Sequence, residues 1–241
     1  MLFYALSAFT IFGLSSASEH TLPVTICKRH SPNYSACLKY SLKEAWPRFV
    51  AGIPEFKFPS LDPLFYEYGK AVFNSGEIRA EVILSNISAF GLSKSCFSDI
   101  RTHFLNDVFR LEIDVLVPKV MLEGTVKMNG TMSIFKIARK GYFNLTADDA
   151  TATWDLTGSV VNDTWIVEHF RTFPSVKKLK LYFDLFSDNK EFNNLAVTFA
   201  NEFWPPLYRV MLPIVSDEWD LWLTNIANNF FLKVSFSKLF P

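Results

Sequence analysis

The chain has 241 residues, with 24 Lys and Arg, 24 Asp and Glu, and a formal net charge of zero. Spread along the chain, these charges leave no electrostatic footprint for nucleic acid or an anionic membrane surface, and those partner classes drop out. Hydrophobic residues make up 49% and include 25 Phe, 6 Trp and 8 Tyr, so the interior is either unusually aromatic or lines a cavity.

The first residues hold an apolar run from Leu2 to Leu14, then Ser15-Ser16-Ala17-Ser18 and the polar pair Glu19-His20. This is the pattern of a secretory signal peptide over residues 1–18, too short and wrongly flanked to span a bilayer. Residues 19–241 are then a single exported domain, with no other segment suited to integral membrane association. Five Asn-x-Ser/Thr sequons, at Asn33, Asn86, Asn129, Asn144 and Asn162, exceed the roughly two that chance supplies and are expected glycosylation sites. In an oxidising compartment Cys27 and Cys37 are the natural disulfide pair, closing a loop worth about 3 kcal/mol on chain-entropy grounds. Cys96 is left over and is expected to be a buried, inert side chain beside Phe97.

From Ser35 to Val50, apolar residues at Leu38, Leu42, Ala45, Trp46 and Phe49 predict a short amphipathic helix interrupted at Pro47. The stretch Ala51 to Phe65 carries three prolines and reads as an extended connector rather than as ligand-contacting structure. The period then changes to two. Ile78, Ala80, Val82 and Leu84 share one phase, and Phe109, Leu111, Ile113 and Val115 alternate with charged residues, giving strands with one wet and one dry face. A second run carries Leu122, Val126, Met128, Met132 and Ile134 on its dry side. A third has Phe143, Leu145 and Ala147, then resets after Asp148-Asp149 to Ala150, Ala152, Trp154 and Leu156. The last has Leu179, Leu181, Phe183 and Leu185.

Between Leu195 and Val234 apolar residues fall at helical spacing on several faces at once, the mark of an enclosed helix, with Pro205-Pro206 at a start or break and Pro213 implying a kink. Long strands with one dry face must curl round something. The fold class is therefore α+β, a strongly curved antiparallel sheet wrapped around a long C-terminal helix, with the N-terminal helix closing one end. Periodicity does not distinguish a filled interior from a hollow one.

Chemistry-bearing motifs are absent. Gly91-Leu92-Ser93-Lys94-Ser95 lacks the second glycine of a nucleophile elbow. His20, His30, His103 and His169 have no partner at metal spacing, and Glu112 and Asp114 lie on a wet strand face. An apolar interior without reactive groups, in an exported chain, points to a carrier that is not an enzyme and needs no cofactor or metal.

Three segments resemble the insect juvenile-hormone-binding and takeout family of secreted carriers. The first is Cys27 and Cys37 followed by Gly52-Ile53-Pro54-Glu55 and Leu61-Asp62-Pro63-Leu64; the second is Ala89-Phe90-Gly91-Leu92-Ser93 with Leu122-Glu123-Gly124; the third is Asn201-Glu202-Phe203-Trp204 with Leu239-Phe240-Pro241. The resemblance implies a TULIP-like fold, with an apolar tunnel between helix and sheet, and a monomer that carries a small hydrophobic ligand: a juvenile hormone, another terpenoid or a fatty-acyl compound. It also implies takeout-like roles in feeding, circadian or chemosensory physiology. With Cys96 alone, no second disulfide forms, so the chain looks takeout-like and a generic lipophile is favoured. On that reading Leu111, Ile113, Val126, Met128, Ile134, Phe143, Trp154, Leu181, Phe183, Trp219, Trp222 and Phe230 border the tunnel. The rival reading is an extracellular signalling or interaction protein whose tunnel is filled by aromatic side chains.

Overall fold

The computed structural model describes residues 25–75, 78–132 and 135–241. The expected leader, residues 1–18, and Ile134 lie outside the described residues. Helix α1 (Tyr34–Ala51) leads through a short 3-10 turn (Pro54–Phe56) into strands β1 (Leu64–Ser75), β2 (Ile78–Phe90), β3 (Cys96–Leu105), β4 (Val108–Met132), β5 (Phe135–Val161), β6 (Thr164–Thr172) and β7 (Lys178–Asp184). Helices α2 (Lys190–Glu202), α3 (Trp204–Phe231) and α4 (Phe236–Leu239) follow.

The strands form one antiparallel sheet whose spine is the pair β4 and β5, in register from Val108↔Ser159 to Met132↔Phe135. Each spine strand is long enough to serve two partners end to end. The free edge of β4 pairs β3 along its first half and β2 along its second. That of β5 pairs β7 and then β6. Two runs read separately in the sequence are thus one strand of 25 residues, and the third run is one of 27. Where partners change, the inward phase changes too: Val117 and Val120 both face inward around Pro118, as do Ala147 and Ala150 around Asp148-Asp149. Asp149 takes a positive φ of 51° to make the reset. Pro118 sits between the stretches paired to β3 and β2, where no ladder donor is required of it.

A turn of Leu92–Lys94 crosses that gap, and Gly91 fits there as only glycine can, with φ 107° and the Lys119 carbonyl where a Cβ would sit. Asp62 fixes the crossing by accepting the N–H groups of Gly91 (3.0 Å) and Ser93 (2.9 Å). Two of the sequence markers are therefore halves of one contact. Burial alone would raise the Asp62 pKa, but bonds from Ser93 and Gly91, aided by Lys94, hold it below the usual carboxylate value.

Sheet order runs β1-β2-β4-β5-β6, and α3 packs against both outer strands, β1 and β6, so the curled sheet nearly closes round it. The exposed strand edges are covered by side chains rather than by further strands. Asn228 of α3 accepts from Val167 N–H (2.9 Å) and donates to Val167 C=O (2.8 Å). Asn201 of α2 does the same with Leu181, at 2.8 and 2.6 Å. Asn193 accepts from Leu185 and Phe186 and donates to Phe183. An asparagine amide matches a peptide's donor and acceptor pair, which is what an unpaired edge lacks.

Three expectations are corrected. Helix α1 runs unbroken through Pro47, held by the buried face Leu38, Ala45 and Trp46 and by the Trp46 indole donating to Leu92 C=O (3.0 Å). The C-terminal apolar stretch divides at Phe203 into α2 and α3, with Pro205-Pro206 at the start of α3 as expected. Helix α3, continuous across Pro213, is not enclosed all round: it fills the slot between β1 and β6 and leaves Leu207, Val210 and Leu221 exposed. Cys96 is exposed at the start of β3, because the neighbouring Phe97 takes the inward position of that strand.

The Cys27–Cys37 disulfide is present and ties the N-terminal segment to α1. The same end is packed with rings. Phe109 meets Trp165, Phe236 and Phe240 at centroid distances of 4.9, 4.9 and 4.7 Å, and Trp165 meets Phe231 at 4.5 Å. The C-terminal residues are pinned over this plug by Arg29, whose N–H donates to Pro241 C=O and whose guanidinium donates to Phe240 C=O.

Candidate functional site: an apolar cavity

Beyond the ring plug, the inner face of the sheet and the inner faces of α1 and α3 leave a cavity of about 640 Å³. The sheet contributes both of its inward phases, for example Leu111, Ile113 and Val115 from one half and Leu122, Phe143 and Leu145 from the other. Helix α1 contributes Leu42, Trp46 and Phe49, and α3 contributes Met211, Val215, Trp219, Trp222 and Ile226. Along β2 the lining alternates through Val82 and Leu84, then shifts to Ile87 and Ala89. The shift occurs at a bulge between Ser85 and Ser88, where Asn86 takes φ 53°.

Seven of the twelve residues named from the sequence line this cavity: Leu111, Ile113, Phe143, Trp154, Trp219, Trp222 and Phe230. Val126, Met128, Leu181 and Phe183 do not. Their cross-strand partners Leu84, Val82, Leu145 and Phe143 take the lining positions instead. Strand parity identifies a face and says nothing about how near a residue stands to the void. The connector is also corrected, since Phe58, Leu61 and Leu64 all line the cavity. Their inward placement follows from Ile53 and Phe58 bridging to each other, which folds the segment back onto α1. Sequence periodicity has no purchase on a segment without a repeat; the apolar stripe of α1 was legible, but as a packing face.

Few polar groups reach the cavity. Tyr208 spends its hydroxyl on the Pro174 carbonyl (2.6 Å). Tyr66 stacks on Trp222 at 4.6 Å and lies over Gly69, where an added Cβ would come within 2.8 Å of the ring. Burial, and secondarily the Glu218 carboxylate, raise the Tyr66 pKa, so its hydroxyl stays a proton donor at the cavity wall. Thr25, Ser41, Lys70, Thr172, Glu218 and Lys238 also touch the lining, which among the described residues includes no His, Cys or Asp. His103 and His169 are engaged elsewhere, with Glu112 (2.9 Å) and Asp220 (2.8 Å). Glu112 and Asp114 lie on the outer face in an ion-pair ladder with Arg101 and Arg110. Ser93 donates its N–H to Asp62 in a 3-10 turn, not at a strand-to-helix elbow. Such a lining encloses an apolar body and offers it very few hydrogen bonds.

A curved sheet closed on a long helix over an apolar cavity is the arrangement that comparison with known proteins places. A family model, haemolymph juvenile hormone binding protein, matches residues 6–241. The chain belongs to that family. A Drosophila melanogaster relative named circadian clock-controlled protein daywake is 24% identical, over 90% of this chain and 87% of its own. Its Drosophila yakuba counterpart is 20% identical, covering 90% and 86%. The crystal structure of Epiphyas postvittana Takeout 1 superposes with a TM-score of 0.68 at 20% identity, covering 90% of this chain and 99% of that one. At that identity the likeness establishes the fold of this member of the juvenile hormone binding protein family. Among its described residues no helix is long and apolar enough to cross a membrane.

Proposed function

We propose that the protein is a secreted carrier that binds one small lipophile, a terpenoid or fatty-acyl compound, in the cavity and transports or sequesters it without chemical change. The observation that carries this reading is an apolar void of about 640 Å³, within the range of natural small-ligand sites. A ligand burying about 350 Å² of apolar surface gains roughly 9 kcal/mol gross, before ordering costs reduce it. The shortage of polar groups in the lining favours a generic lipophile over one recognised through several hydrogen bonds. The Tyr66 hydroxyl is the donor best placed to meet a single polar end. Leu111, Ile113, Phe143, Trp154, Trp219, Trp222 and Phe230 enclose the ligand on this reading.

Export is supported by the disulfide and by sequons at Asn33, Asn86, Asn144 and Asn162, whose side chains are exposed. Asn129 is half-buried and is the poorest acceptor of a glycan. The names of the daywake relatives support a clock-linked physiological role. The rival interaction-protein reading predicts a filled interior and a large exposed apolar patch; exposed apolar side chains on α2 fit its second part, but the ring plug fills the interior at one end only.

Native mass spectrometry of protein secreted from insect cells tests the carrier. Expected is a co-purified lipophile, or stoichiometric uptake from a panel of juvenoids, other terpenoids and fatty acids. Protein that arrives empty and takes up none of them sinks the reading.

A further inference from the structure

Helix α2 packs inward through two asparagines and small apolar residues, Ala196, Val197 and Ala200, rather than through its large apolar side chains. Asn193 and Asn201 face the β7 edge and hold it, and Ala200 is buried with them. The phenylalanines face outward. Phe192, Leu195, Phe199 and Phe203 are 49, 66, 55 and 48% exposed, and Leu207 and Val210 continue the line along α3 at 43 and 52%. Steps of three, four and four residues set Phe192, Leu195, Phe199 and Phe203 along one side of α2, and Leu207 and Val210 follow on α3 beyond the break at Phe203. The α2 part of this stripe runs about 17 Å along the surface. Phe199 and Phe203 pack at 4.8 Å within it, and Phe186 extends its start by meeting Phe192 edge-to-face at 4.7 Å.

With about half of each side chain open, the six expose on the order of 600 Å², at the upper limit of what a monomer leaves in one patch. The patch is smaller than the roughly 800 Å² that each partner contributes to a stable specific dimer. A helix with bulky apolar residues along one side and polar residues on the other is the geometry of an interfacial segment. Its flanks are mixed in charge, with Lys190 and, beside Asn201 and Trp204, Lys178 and Lys180 against Glu191 and Glu202. Insertion, not charge, would therefore drive contact with lipid.

We propose that the α2 stripe docks the protein peripherally on a zwitterionic phospholipid surface, burying these side chains at the headgroup boundary. The stripe is continuous with the cavity wall: Leu207 and Val210 alternate along α3 with Tyr208 and Met211, which line the void. Docking would thus bring the cavity's α3 wall to the lipid surface, so that a lipophile could exchange with little exposure to water. That last consequence rests on the carrier reading; the docking itself does not.

Flotation of the full secreted chain with phosphatidylcholine vesicles tests it without any cavity ligand, so its failure leaves the carrier reading untouched. The wild type floats, equally at low and high salt. Leu195→Asp combined with Phe199→Asp lowers the bound fraction on the order of tenfold, whereas Leu105→Asp, an exposed leucine on β3 outside the stripe, leaves it unchanged. Should the double variant disturb the fold, Leu195→Cys in a Cys96→Ser background, labelled with a polarity-sensitive fluorophore, reads insertion directly as a blue shift on vesicles. The proposal is overturned if the wild type does not float and the label does not shift, or if flotation requires anionic lipid and vanishes in salt. It is equally overturned if the wild type is a dimer by light scattering that the double variant dissolves, since the stripe then covers a second copy.

Discussion

Asp62 shows what a single residue does here that its position in a motif does not reveal. In the sequence, Leu61-Asp62-Pro63-Leu64 and Gly91-Leu92-Ser93 are two separate markers; in the structure one carboxylate accepts two backbone donors of the second, Gly91 and Ser93. Its depressed pKa carries a sign. A carboxyl whose folded pKa lies below its unfolded value of about 3.9 adds stability that is complete above that pH and lost as pH falls through the folded value. Asp62→Asn should lower stability at neutral pH by about 1–2 kcal/mol, since an amide oxygen replaces two charge-assisted bonds with weaker ones. It should also flatten the loss of urea stability below about pH 4. A variant as acid-sensitive as the wild type would show that the drop belongs to other depressed carboxyls, such as Asp114 or Asp155. Residue identity was legible at this site, but the partner was not, because a contact between residues 62 and 91 leaves no local periodic trace.

At the scale of elements, alternation identified most strands and their dry faces, and even located the phase reset at Asp148-Asp149. It missed the fusion of two runs into β4, because Pro118 reads locally as a stop. Only the change of partner strands there makes a proline harmless. Helix α2 misled for the opposite reason. Apolar spacing implies a buried face, yet this helix is anchored by asparagines whose amides complete a sheet edge, a role that composition prices as exposed loop or cap. Asn228 makes the same contact on β6, where Val167 is 2% exposed and has no access to replacement water. Asn228→Ala should cost about 2–4 kcal/mol in urea unfolding, one buried donor and one acceptor being orphaned together. Asn228→Asp should not rescue it, because a carboxylate opposes the Val167 carbonyl. A loss below 0.5 kcal/mol, roughly that of a neutral surface change, would mean that the edge finds other partners.

For the whole molecule, the aromatic excess divides between two tasks, and the sequence could not apportion it. Rings from β4, β6, α3 and α4 fill one end, while Trp46, Phe49, Trp154, Trp219 and Trp222 wall the cavity beyond. Whether a void remains depends on three-dimensional packing, to which binary patterning is blind. The void should respond to ligand and to filling in opposite ways. A bound lipophile at a hundredfold its Kd stabilises by about 2.7 kcal/mol, which for a chain of this size raises Tm by roughly 5–10 °C. Ala152 lines the cavity on β5 beside Trp154, and Ala152→Phe places a ring in otherwise empty space. The unliganded variant should hold or gain Tm, since filling a dry void restores lost contacts, while its ligand-induced shift disappears. Differential scanning fluorimetry with and without the lipophile identified by mass spectrometry reads both quantities. A full ligand shift retained by Ala152→Phe would place the binding site outside this cavity, and a fall in Tm without ligand would mean that the space beside Trp154 was already occupied by packing.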